Sequence, residues 1–198
     1  MSDKRQASIV RTTSETDIAI ELSLDGAGEG LIDTGIGFFD HMLQAFARHG
    51  LFDLAVKAKG DLQVDGHHTV EDVGIVLGQA FAQALGDKRG IRRFGSLALP
   101  MDEALVLAAV DISGRGALYW DANVPYALLG TFDATLAKEF FIAFATNAGV
   151  TLHVRQLAGE NTHHIVECMF KAVARAMRAA CEIDPRAAEV LPSTKGAL

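Results

Sequence analysis

His67-His68-Thr69-Val70-Glu71 returns 96 residues later as His163-His164-Ile165-Val166-Glu167, in a chain of 198 residues. These two dipeptides hold four of the seven histidines, and a glutamate follows each pair by about one helical turn. A repeat at half the chain length, with the same residue types at the same spacing, implies a duplicated unit that carries duplicated chemistry.

The correspondence extends outward from the two pairs. Phe38-Phe39 open an apolar-periodic stretch that runs to His49, and Phe140-Phe141 open its counterpart, which runs to Ala148. Gly50 and Gly149 close them, as glycine closes many helices. Strand-like segments follow at Leu51 to Ala58 and Val150 to Gln156. Each leads to an acidic residue, Asp61 or Glu160, and then to a His pair. Behind the pairs, Thr69 to Leu85 and Ile165 to Cys181 are apolar at helical spacing. In front, Glu15 to Gly30 and Asp102 to Gly116 both alternate as strand-turn-strand. Each half therefore reads as an α+β unit, with two helices covering one face of a mainly antiparallel, four-stranded sheet. The two units should meet helix to helix, giving sheet, four helices, sheet in one compact body. The boundaries are residues 1–92 for the first repeat, 93–185 for the second and 186–198 for a tail.

Composition narrows the function classes. Hydrophobic residues make up 49% of the chain and the mean hydropathy is +0.20. That is high for two half-size units, so other subunits are expected to cover part of the apolar surface. No apolar run approaches the roughly 18 residues that span a bilayer. The first residues, Met1 to Gln6, lack an apolar signal segment, and Cys168 and Cys181 fall on one predicted helix, so a cytoplasmic location is expected. A net charge of −7 and a pI near 5.4 disfavour nucleic acid and anionic membrane as partners.

On a helix, the first His and the Glu of each pentapeptide share a face, where two side chains can grip one ion. The second His points roughly 100° away and should serve another ion. One helix then feeds two metals, and its duplicate does the same. His41, with Asp40 before it as a candidate orienter, and mid-strand His153 complete the donor tally. His49, beside the helix-ending glycine, reads as structural. The candidate ligands are His41, His67, His68, Glu71, His153, His163, His164 and Glu167, four per ion. None is a cysteine, so a structural zinc site is disfavoured, and octahedral Mn²⁺ or Fe²⁺ with open positions fits.

With these residues assembled, the chain resembles the imidazoleglycerol-phosphate dehydratases. The carrying strings are Thr34 to Leu43, Asp65 to Asp72, Met101 to Ala104, Val110 to Arg115, Glu160 to His164 and Leu191 to Gly196. The resemblance implies a duplicated fold similar to the second domain of ribosomal protein S5. It also implies two Mn²⁺ per active site, and trimers packed into a shell of twenty-four subunits with sites at subunit interfaces. His67, Glu71, His153 and His164 would hold one ion, and His41, His68, His163 and Glu167 the other. The implied reaction removes water from a phosphorylated imidazole diol, through imidazolate and diazafulvene forms, to give a ketone. Proton transfer would fall to Glu15, Glu71 or Glu167, with Asp72 and Glu103 as candidate orienters. Glu15, His41, His67 and His68 would contact substrate. Arg93, Arg115, Ser193 and Lys195 would bind its phosphate, the last two from the tail.

Three other classes compete: a dinuclear hydrolase, a metal-storage shell and an RNA-binding protein of similar fold. Nothing singles out a carboxylate bridging two metals, as a hydrolase wants. Storage has no use for Arg115, Lys195 or Glu15, and the acidic pI disfavours RNA.

Overall fold

The computed structural model describes residues 5–198. In the first half, β1 (Gln6–Thr12) and β2 (Thr16–Ser23) form a hairpin, followed by β3 (Gly30–Asp33), α1 (Gly37–Gly50), β4 (Asp53–Gly60) and α2 (His67–Leu85). The second half repeats the order with β5 (Phe94–Met101), β6 (Ala104–Asp111), β7 (Ala117–Asp121), α3 (Leu136–Ala148), β10 (Thr151–Ala158) and α4 (Thr162–Cys181). A small hairpin, β8 (Leu128–Leu129) with β9 (Phe132–Asp133), is inserted before α3. The two main sheets have matching orders, β1-β2-β4-β3 and β5-β6-β10-β7. In each, only the last pair is parallel: β3 with β4, and β7 with β10. Side-chain alternation drives this layering, because Ile18, Ile20 and Leu22 of β2 and Val106, Ala108 and Val110 of β6 all point inward.

Three boundaries differ from the sequence reading. Each hairpin begins a strand earlier, at β1 and β5. The polar Gln6, Ser8, Arg11 and Thr12 of β1 give little apolar alternation to read. α3 starts at Leu136 rather than Phe140, after Asp133 accepts hydrogen bonds from the Thr135 backbone and hydroxyl (2.9 and 2.7 Å). Both His pairs lie inside the first helical turn rather than in front of it. Asn161 Oδ1 caps α4 by accepting from the backbone N–H groups of His163 and His164 (2.9 and 3.3 Å). Asp65 does the same for His67 at 2.8 Å.

The four helices fill the space between the sheets, with α2 against α3 and α1 against α4. Nine phenylalanines are fully buried there, among them Phe39, Phe140 and Phe170, whose rings pack edge-on or stacked. α2 and α3 approach so closely at Gly74 and Gly78 that an added Cβ would lie 2.7 Å from the carbonyl oxygens of Phe140 and Phe144. The contacts advance in step along both helices, so α2 and α3 run parallel. α1 and α4 also run parallel, with His41 near Glu167 and His49 near Lys171 and Arg175. The starts of α1, α2 and α4, which carry the histidines, therefore gather at one end. Both cysteines are buried and unpaired; burial pushes the Cys168 thiol up to about 11 and the Cys181 thiol up to about 12. None of the described helices is long and apolar enough to cross a membrane.

Candidate metal centre and substrate site

Among the described residues, His41, His163 and Glu167 form the one cluster of three His, Cys, Asp or Glu donors, with ligand atoms all within 4.8 Å of one another. His163 and Glu167 stand one turn apart on α4, and the Nε2 to Oε2 distance is 3.0 Å. His41 reaches the same carboxylate oxygen from α1 at 3.6 Å. Phe38 packs edge-on against the His163 ring, with 5.0 Å between centroids. Burial alone would push the Glu167 carboxyl up. The Lys171 ammonium, 2.6 Å from its other oxygen, together with the two His rings, outweighs that and holds it below the ordinary glutamate value.

The duplicate positions on α2 are more open. His67 Nε2 and Glu71 Oε2 are 3.9 Å apart and both side chains are half-exposed. His67 borders a cavity of about 680 Å³ shared with Gly66, Ile36, Leu136, Tyr126 and Leu128.

The second histidines point elsewhere, as their helical offset requires. His68 Nδ1 lies 3.0 Å from Asp61 and 3.8 Å from Glu15, which the β1–β2 turn presents. His164 Nδ1 lies 2.7 Å from Glu103, and its Nε2 is 3.8 Å from Asp102 in the β5–β6 turn. The hydrogen bond to Asp61 raises the His68 pKa and that to Glu103 raises the His164 pKa. The same bond to His164, reinforced by the Asn161 N–H, brings Glu103 down to about 2.

His153 stands on the outer face of the second sheet, exposed and stacked on Tyr119 at 4.5 Å. It joins neither cluster within one chain. His68 likewise lies outside the His41–His163–Glu167 group.

Two proposed orienters do other work. Asp40 accepts from the Thr34 backbone and hydroxyl (2.9 and 2.5 Å) and so fixes the approach to α1. Asp72 is buried and pairs with Arg11 and Thr16, which anchors the β1–β2 turn beneath Glu15. Glu103, the other candidate orienter, does stand beside His164, at 2.7 Å and 61 residues away in sequence, whereas sequence correspondence had put Glu160 opposite Asp61. Two neighbours of the candidate ligands carry no role in the sequence reading: Lys171 beside Glu167 and Asp102 beside His164. A Glu-to-Lys spacing of four residues on a helix was the available signal for Lys171.

The cationic candidates collect at the opposite end. Arg93 donates to Asp111 (2.7 and 3.2 Å) and to the carbonyl of Pro192 in the tail (2.9 Å). Ser193 donates to the Ala197 carbonyl and accepts from the Lys195 N–H. The tail end lies over Gly114, next to exposed Arg115. The Arg93 N–H bonds the Ala180 carbonyl near the end of α4, whereas His163 stands at its start. At about 1.5 Å of rise per residue, that separates the groups by roughly 25 Å in one chain.

Known proteins share much of this sequence and its fold. The sequence model of the imidazoleglycerol-phosphate dehydratase family matches residues 34–177. The imidazoleglycerol-phosphate dehydratase of Dinoroseobacter shibae is 61% identical over 98% of this chain and all of its own. That of Gluconacetobacter diazotrophicus is 61% identical over the whole of both chains. The crystal structure of the Staphylococcus aureus imidazoleglycerol-phosphate dehydratase superposes with a TM-score of 0.82 at 39% identity, covering 90% of this chain and 99% of that one.

Proposed function

The chain belongs to the imidazoleglycerol-phosphate dehydratase family, and from that premise we propose that it is a dinuclear, Mn²⁺-dependent hydro-lyase of histidine biosynthesis. The observation that carries the metal reading is the His41–His163–Glu167 cluster: three nitrogen and oxygen donors converge within 4.8 Å, with no sulfur among them. That donor set suits a hard-to-borderline divalent ion. His68 would complete it, and His67, Glu71, His153 and His164 would hold a second ion. One chain assembles only part of either set, which supports sites shared between subunits. The exposed His153 and the 25 Å gap to the cationic end favour the same arrangement. We propose trimers built into a shell of twenty-four, with neither nucleic acid nor membrane as partner and the cytoplasm as location.

The substrate carries an imidazole ring, two hydroxyls and a phosphate. When bound, Mn²⁺ would supply Lewis acidity at the ring nitrogens. The protein must accept the proton of a C–H bond and return one to the departing hydroxyl. Glu167 is held by Lys171 and two histidines, which suits a ligand better than a proton carrier. Glu15 is half-exposed beside His68 and outside both ligand sets, so we assign it the proton transfer, with Glu71 as the second candidate. Arg93, Arg115, Ser193 and Lys195 would bind the phosphate of a substrate held at a neighbouring subunit's metal end.

The test is ketone formation from imidazoleglycerol phosphate by the chelated protein with and without added Mn²⁺. Turnover is expected only with metal; full activity in metal-stripped protein overturns the reading. Arg115→Ala is expected to raise KM by the equivalent of about 1.5–3 kcal/mol, the worth of a hydrogen bond to a charged group. Metal content should stay unchanged. A normal KM would remove Arg115 from the site.

A further inference from the structure

His68 and His164 share an environment that the chain builds twice from unrelated segments. Asp61, just past the end of β4, puts Oδ2 3.0 Å from His68 Nδ1. Glu103, in the β5–β6 turn, puts Oε2 2.7 Å from His164 Nδ1. A carboxylate at that distance accepts a hydrogen bond, so the neutral form of each ring keeps its proton on Nδ1 and its lone pair on Nε2. Among the described residues His41, His67, His153 and His163 have no carboxylate on Nδ1. The device therefore belongs to the second histidine of each pair.

The two versions are braced differently. Glu103 Oε1 also accepts from the backbone N–H groups of Glu160 and Asn161 (3.2 and 2.9 Å), which ties the start of α4 to the same turn. Asp61 Oδ1 is buried without a hydrogen-bond partner. Its charge is therefore spent on the bond to His68 alone.

We propose that Asp61 and Glu103 are matched positioning residues: each fixes the tautomer and aim of one metal-binding histidine, and each controls a different ion. The inference rests on the metal reading above. Under that reading Asp61 acts through His68 on the ion of His41, His163 and Glu167. Glu103 acts through His164 on the ion of His67, Glu71 and His153. An ion-bound imidazole whose other nitrogen donates to a carboxylate is oriented and made more basic, and loss of such a partner costs about ten- to a hundredfold in metal affinity.

The experiment is calorimetric titration of chelated full-length protein with Mn²⁺, for wild type, Asp61→Asn, Glu103→Gln and the double variant. Thermal unfolding of each metal-free form serves as the companion measurement. Asp61→Asn and Glu103→Gln should each weaken one of two ions by about ten- to a hundredfold, and the double variant should weaken both. In a Glu167→Ala background, Asp61→Asn should not weaken the remaining ion further, whereas Glu103→Gln should. The metal-free melting temperatures should stay close to wild type, because the amides keep the volume and an accepting oxygen. Variants that bind both ions with wild-type affinity, or that both weaken the same ion, overturn the proposal. So does a fall in metal-free stability with no change in affinity, which marks a merely structural role. If wild type itself takes up no pair of ions, the metal reading fails and the inference falls with it; wild-type uptake of two ions with unaffected variants sinks the inference alone.

Discussion

Glu167→Ala is expected to abolish one proposed ion position and to reduce turnover by about 10³-fold or more, since a catalytic metal supplies several kcal/mol of transition-state stabilisation. The reason lies in the cluster's centre: both His41 and His163 approach the same Glu167 oxygen, at 3.6 and 3.0 Å. Without it, the two imidazole rings remain beside the Lys171 ammonium, which repels a cation. Replacing Glu167 by Gln keeps the volume and removes the charge, so it separates packing from binding. The metal-free protein should also respond to pH through this group. Its folded pKa lies below the ordinary value, so its contribution to stability is present above the unfolded pKa and is lost as pH falls through the folded one. Metal content per subunit and kcat at saturating substrate are the measurements. Two ions and an unreduced kcat in Glu167→Ala would remove this cluster from the chemistry.

Much of the fold was legible because its signals are local. Periodic apolar residues and closing glycines mark α1 and α3. The duplicated pentapeptide marks α2 and α4, and alternation in β2 and β6 marks the inner strands. β1 is faint because inward-facing Ala7 and Ile9 are followed by Arg11, while Val10 breaks the outward polar run of Gln6, Ser8 and Thr12. β5, with Leu97, Leu99 and Met101 only half-buried, was equally faint. The site divides in the same way. Spacing of four along a helix brings His163 to Glu167, an offset of one turns His68 away from His67, and both follow from helical geometry alone. The partners of the second histidines do not. Glu103 meets His164 only because the β5–β6 turn folds over the start of α4, a contact across 61 residues that no periodicity encodes. Asp40 and Asp72 misled for the opposite reason. A carboxylate adjacent in sequence to a candidate ligand is turned by the helix onto another face, where Thr34 and Arg11 claim it.

Gly78→Val should be strongly destabilising, because the contact it violates is made by backbone. A Cβ at Gly78 lies 2.7 Å from the Phe144 carbonyl oxygen and 2.8 Å from the Ala148 nitrogen and the Asn147 Cβ. Main-chain atoms cannot swing aside as a flexible side chain would, so α2 and α3 must separate along their length. That separation loosens the edge contact between Phe144 of α3 and Phe81 of α2. Overpacking costs about 1–3 kcal/mol and the lost contacts add to it, against a total stability on the order of 5–15 kcal/mol. A loss near the top of that range corresponds to roughly 6–12 °C in Tm for a chain of this size. The displacement should reach the metal end too, since Leu136 at the start of α3 packs beside Gly66, immediately before His67. Gly37→Ala provides the contrast. No atom lies within 4 Å of a Cβ there and no positive φ is imposed, so the change should stabilise α1 by a few tenths to about 1 kcal/mol. Thermal unfolding of the metal-free variants at one fixed protein concentration decides the matter, since the proposed assembly would make Tm concentration-dependent. A Gly78→Val protein that melts with wild type would mean the two helices have room that these distances do not allow.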